Sequence, residues 1–184
     1  MRIVHGLEAA RATLFQRPPL DQFPVPPAVG RRIQQAFGEE LTPAQVVERI
    51  VADVRSRGDL ALRDYTQRLD GVKLSALEVS AEEIWGAQVD EELLSALKLA
   101  AERVQRFHQA HRPTTSVDFA EGGLGRLVRP LDRVGIYVPG GAAAYPSTVL
   151  MTAIPARVAG VGEIIMATPP GKQGSVPASL LVAA

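Results

Sequence analysis

"RVGIYVPGGAAAYPSTVLMTAIPARVAGVGEIIMAT", residues 133 to 168, changes texture several times within a short span. "RVGIYV" (133 to 138) is a near-continuous apolar run of strand length, and "EIIMAT" (163 to 168) is a second. Between them "PSTVLMTAIPARVAG" (146 to 160) reads as a helix that opens on proline and closes on glycine. "VPASLLVAA" (176 to 184) begins another helix. Strand, helix, strand, helix predicts two parallel strands buried on both faces and joined by a crossover.

The turn leaving the first strand, "PGGAAAYPST" (139 to 148), is bare of bulky side chains except for Tyr145. In open parallel sheets, ligands bind beyond the carboxyl ends of strands, where the next helix presents unpaired N–H groups. Gly140 and Gly141 are expected to reach φ values closed to other residues. Ala142 to Ala144 keep the surface low, and Ser147 or Thr148 is expected to cap the helix. Two readings stay open: a tight turn stabilised by glycine and proline, or a wall for a flat or anionic ligand. No lysine follows the glycines and their spacing is not the dinucleotide fingerprint. Tyr137 and Tyr145 flank the turn and either stack on a ring or fill the core.

Upstream the chain reads as helical. Residues 17 to 29, "RPPLDQFPVPPAV", hold five of the fourteen prolines and read as an extended connector after a short N-terminal helix. Thr42, Pro43 and Gln45 form a capping-box pattern, with Val46, Val47, Ile50, Val51 and Val54 as the expected buried stripe. Gly58-Asp59 separates that helix from one carrying Leu60, Leu62, Tyr65 and Leu69 inward, which stops at Asp70-Gly71. "VKLSALEVS" (72 to 80) alternates like a strand, and Ser80 with Glu83 opens a helical stretch to about 110, with a break near Asp90. Trp85 is expected in the core or at an interface. "SVDFAEGGLGRLVRP" (116 to 130) reads as a hairpin around Glu121-Gly122-Gly123. The texture change places a domain boundary near 130, with a helical region over 1–130 and an incomplete Rossmann-like parallel βαβα unit over 131–184.

Twenty basic and twenty acidic side chains cancel, so no domain-wide positive field draws nucleic acid or an anionic membrane. With no cysteine there is no thiolate chemistry and no disulfide framework, and a cytosolic setting is the expectation. No signal-peptide pattern or spanning apolar run is present. His108 and His111 share a helix face at a spacing that permits metal binding, but His108 falls on the apolar stripe and His111 at the solvated helix end. His5 is expected at the surface. Asp59, Asp64, Asp70, Glu82, Glu83, Glu91 and Glu92 fall at helix ends or on watered faces, where helix electrostatics accounts for them. No catalytic acid/base pair and no metal site is identified.

"RPLDRVGIYVPGGAAAYPSTVLMTAIPARVAGVGEIIMATPP" (129 to 170) resembles the signature region of histidinol dehydrogenases, and "GDLALRDYTQRLDGV" (58 to 72) with "ERVQRFHQ" (102 to 109) resembles that family's N-terminal helices. The resemblance implies an aldehyde-dehydrogenase-like α/β fold and a homodimer that oxidises L-histidinol to L-histidine in two NAD-dependent steps with a catalytic zinc. It implies NAD contact at Tyr137, with Pro139, Gly140 and Gly141 as the adjoining wall. The family's zinc ligands (a glutamine, two histidines and an aspartate) and its Glu-His pair belong to a later half, so the chain is expected to be an N-terminal part, inactive alone. The alternative is a noncatalytic homologue that contacts nucleotide or dimerises.

Overall fold

The computed structural model describes residues 3–16, 25–112, 117–119, 122–140 and 143–184. The described residues form a mixed α/β, mostly helical structure with two small sheets. It divides into two compact units, Met1–Ala61 and Leu62–Ala184.

In the first unit, α1 (Leu7–Thr13) is followed by α2 (Pro27–Phe37) and α3 (Pro43–Arg57). The connector expected through residue 29 therefore ends earlier. Pro27 lies in the first turn of α2, where its missing N–H costs nothing, and Gly38 closes the helix at φ 77°; residues 17–24 lie outside the described residues. The Thr42 capping box forms as expected, with both reciprocal hydrogen bonds to Gln45. The valine stripe of α3 is not buried: Val46, Ile50 and Val54 are half-buried, and Val47 is 59% exposed. Helical periodicity marks an apolar face but does not say what covers it.

Gly58, at φ 56° and ψ −132°, breaks the chain between α3 and α4 (Asp59–Asp70). On α4 the buried positions are Ala61 and Tyr65, whereas Leu60 is 73% exposed and Leu62 and Leu69 are also exposed. The buried face of the helix is thus rotated from the expected stripe. Residues 72 to 80 are irregular rather than a strand. Arg63 of α4 donates from Nη1 to the carbonyls of Leu74 and Ser75, engaging acceptors that a partner strand would otherwise need. Val72 is buried, and Val72 and Leu74 lie against Gly174.

The long helical stretch breaks as expected into α5 (Ala81–Gly86) and α6 (Glu91–Ala110), with Ser80 and Asp90 as N-caps. On α6, Leu93, Leu94, Leu97, Ala101, Val104 and His108 form the least exposed face, while Phe107 is exposed. Trp85 is 85% exposed and is not in the core. The hairpin forms from β1 (Val117–Phe119) and β2 (Gly125–Leu127), antiparallel, with Gly122 and Gly123 at positive φ in the turn; Glu121 lies outside the described residues.

Strand β3 (Arg133–Tyr137) pairs in parallel with β4 (Glu163–Ala167), from Arg133 opposite Glu163 to Tyr137 opposite Ala167. The crossover is α7 (Pro146–Ala159), which packs on β3 and on α6; α8 (Ala178–Ala183) packs on α7. Val138, Val149 and Leu180 are fully buried together, flanked by Met166, Val176 and Ala183. Both strands alternate rather than being buried on two faces: Val134, Ile136, Ile164 and Met166 are the half-buried positions, and Gly135, Tyr137, Ile165 and Ala167 are exposed.

Two outcomes follow for stability. Leu180→Ala is expected to cost about 2–5 kcal/mol by leaving a void beside Val138 and Val149, read as a lower urea midpoint; an unchanged midpoint would show that this cluster is not the core. Glu82 lies in the first turn of α5, where a backbone hydrogen bond and one with the Ser80 side chain hold its carboxyl below the ordinary carboxylate range. A pKa lowered by folding stabilises above the unfolded value and is lost as pH falls through the folded one. The protection of α5 amides, measured relative to their intrinsic exchange at each pH, should therefore fall slightly only in that acid range, and Glu82→Gln should remove that fall.

Candidate functional site

The residues expected to form the site lie where the two parallel strands end together. The Val138 N–H donates to the Ala167 carbonyl at 2.9 Å and carries the ladder one residue beyond β3. Val138 is fully buried, so the pleat turns its neighbour Tyr137 to the opposite face, where the side chain is 66% exposed. Opposite Tyr137 in the register stands Ala167, and Gly135 pairs with Ile165, which is 50% exposed. The phenol ring thus rises at one end of a low shelf. At the far end, Arg133 Nε donates to Glu163 Oε2 at 2.7 Å.

Pro139 is exposed and Gly140 half-buried; Gly141, also expected in the wall, lies outside the described residues together with Ala142. Gly140 has no positive φ, so conformational freedom is not why glycine stands there. A Cβ on it would lie 3.0 Å from Thr168 Oγ1 and 3.2 Å from the Pro169 carbonyl oxygen. The turn after β3 presses on the segment after β4, and a side chain at 140 would be crowded there. Ser147 and Thr148 do not cap α7. The N-cap position is Tyr145, without a side-chain cap hydrogen bond, and both hydroxyl residues lie inside the first turn. Tyr145 is exposed and does not fill the core.

A groove of about 660 Å³ lies on the other face of the sheet. Ile136, Ile164 and Met166 floor it, α6 and α7 wall it, and Ala183 and Ala184 close one end. Tyr137, Pro139 and Gly140 do not line it. It is the space between packed layers, with the expected site residues on the opposite side.

The histidines are not gathered. His5 is exposed; His111 Nδ1 lies 2.7 Å from the Phe107 carbonyl oxygen and its ring lies 4.4 Å from that of Phe107, while His108 meets Phe107 edge-on at 5.3 Å. Among the described residues no group of three or more His, Cys, Asp or Glu side chains could hold a metal ion. Asp59 opens α4, Asp70 ends it, and Glu91 and Glu92 occupy the first turn of α6, as expected, whereas Asp64, expected to face water, is half-buried and pairs with Arg68 at 2.7 Å. Thr168 was not singled out by sequence. Its signal was a hydroxyl at the carboxyl end of an apolar strand, directly before Pro169-Pro170.

A family model described as histidinol dehydrogenase matches residues 34–184. The histidinol dehydrogenase of Deinococcus radiodurans is 54% identical over 185 residues, covering 100% of this chain and 42% of that protein. That of Geobacter sulfurreducens is 53% identical over 148 residues, covering 76% of this chain and 34% of that protein. A crystal structure of histidinol dehydrogenase from Elizabethkingia anophelis superposes with a TM-score of 0.71 at 32% identity, covering 91% of this chain and 38% of that one. An α/β scaffold of this family is therefore what the fold and sequence define together. This chain belongs to the histidinol dehydrogenase family, and it spans about two fifths of the length of the Deinococcus relative.

Gly140→Ala tests the close approach. Because the Pro169 carbonyl is main chain and cannot swing aside, the substitution should cost roughly 1–3 kcal/mol. A chemical-denaturation midpoint equal to that of the unsubstituted chain would mean the turn has slack.

Proposed function

We propose that this chain serves histidinol oxidation to histidine by forming one wall of a nicotinamide-dinucleotide site, within an incomplete Rossmann-like unit (131–184) carried on a helical region (1–130). The observation that carries the reading is the exposed Tyr137 ring, with Ala167 opposite it, at the shared carboxyl ends of two parallel strands. Membership of an oxidoreductase family supports it. An aromatic face beside a close-approaching backbone suits a flat heterocycle. NAD bound there would supply the hydride acceptor.

What this chain's own residues do is bind and orient. Tyr137 supplies a stacking face, Pro139 an exposed rigid edge, and Gly140 a backbone surface without a side chain; Gly141, outside the described residues, stays in the proposed wall by its place in the sequence. The described residues do not fit a zinc ion, so no metal step is derived from them. We place the zinc ligands and the proton-transferring Glu-His pair in the part of the family's length that this chain does not span. The substrate L-histidinol, a homodimeric assembly and a cytoplasmic setting belong to the same proposal. Among the described residues no helix is long and apolar enough to cross a membrane.

Tyr137→Ala is expected to weaken NAD binding roughly two- to tenfold, the worth of one ring stack, measured by NAD-dependent amide shifts. Equal affinity in the two proteins removes Tyr137 from the site. The purified chain supplied with NAD, zinc and histidinol should form no NADH, and measurable turnover would contradict the division of labour proposed.

A further inference from the structure

Beyond Val138 and Ala167 the parallel ladder cannot continue, because Pro139, Pro169 and Pro170 have no N–H to donate. The two segments nevertheless stay in contact: the position a Gly140 Cβ would take lies 3.0 Å from Thr168 Oγ1 and 3.3 Å from Pro169 Cδ. Gly140 brings no side chain of its own to this contact with the threonine hydroxyl. That hydroxyl is buried, and among the described residues it has no hydrogen-bond partner. A buried hydroxyl without a partner has given up its bonds to water for nothing, and such groups are scarce enough to need a reason. Valine would fill the same space without that loss. A hydrogen bond formed in another state of the protein would account for the hydroxyl, and the carboxyl ends of parallel strands are where ligands bind in open sheets.

We propose that Thr168 is a positioning residue: its hydroxyl hydrogen-bonds the backbone of the 138–140 turn when a nucleotide rests on Tyr137, and is unbonded in the free protein. Ligand binding and the seat of the turn are thereby coupled through one side chain. The inference rests on the dinucleotide reading given above. Thr168 acts through the turn and touches neither substrate nor reacting atoms. A residue with a purely structural role would support the free and bound forms alike; Thr168 destabilises the first and stabilises the second.

Thr168→Val and Thr168→Ser, made in the whole chain, separate these roles. Without NAD, Thr168→Val should raise the urea midpoint, because the orphaned hydroxyl is gone. The same variant should bind NAD roughly two- to tenfold more weakly, the loss of about one hydrogen bond, followed by NAD-dependent amide shifts. Thr168→Ser should return the affinity to the unsubstituted level. A Thr168→Val midpoint below that of the unsubstituted chain, or an unchanged NAD affinity, overturns the proposal. If Tyr137→Ala weakens binding while Thr168→Val does not, Thr168 is eliminated and the dinucleotide reading stands. If Thr168→Val weakens binding while Tyr137→Ala does not, the placement on Tyr137 falls and the coupling through Thr168 remains. No NAD-dependent shift in the unsubstituted chain refutes both.

Discussion

Parallel pairing of β3 with β4 obliges the chain to leave the carboxyl end of one strand and return to the amino end of the next, and α7 is that return. Much of the second unit depends on this geometry. It brings both carboxyl ends to one edge, so that Gly140 meets Thr168 and Pro169 although they are far apart in sequence. It also presses α7 onto one face of the sheet, where Val149 joins Val138 and Leu180 in the buried cluster. The Arg133–Glu163 pair at the opposite end is solvent-exposed, and such pairs contribute little. Apolar burial, more than charge, holds the register.

Much of this was legible in the residues. The two strands, the crossover helix, both capping boxes, the Gly58 break and the glycine-turned hairpin each rest on local chemistry, and each appears where that chemistry puts it. What sequence could not supply was partnership. "VKLSALEVS" alternates well enough for a strand, yet Arg63 occupies two of its carbonyls and no neighbouring strand pairs with it among the described residues. The apolar runs of β3 and β4 suggest burial on both faces, yet alternate side chains stand exposed. The start of α2 was hidden by its own prolines, because a proline in the first turn looks the same in sequence as one that forbids a helix.

At Gly140 the sequence suggested one reason for glycine and the structure shows another. Glycine at 140 suggested a backbone conformation that other residues avoid, whereas the structure requires glycine for clearance against Pro169. The difference lies in a contact between distant segments, which no local pattern encodes. The same holds for Thr168: its hydroxyl becomes conspicuous only when its surroundings are known to lack a partner for it. Tyr137, by contrast, follows from the pleat alone once Val138 is assigned to the core.

Trp85, the single tryptophan, stands almost wholly in water on α5. Its indole emission in the folded chain is accordingly that of a solvated chromophore, already red-shifted, and unfolding has little left to change in it. Fluorescence at this residue is a poor gauge of folding. It is a sensitive gauge of coverage, since any surface that settles over α5 shifts the emission to the blue against a quiet background.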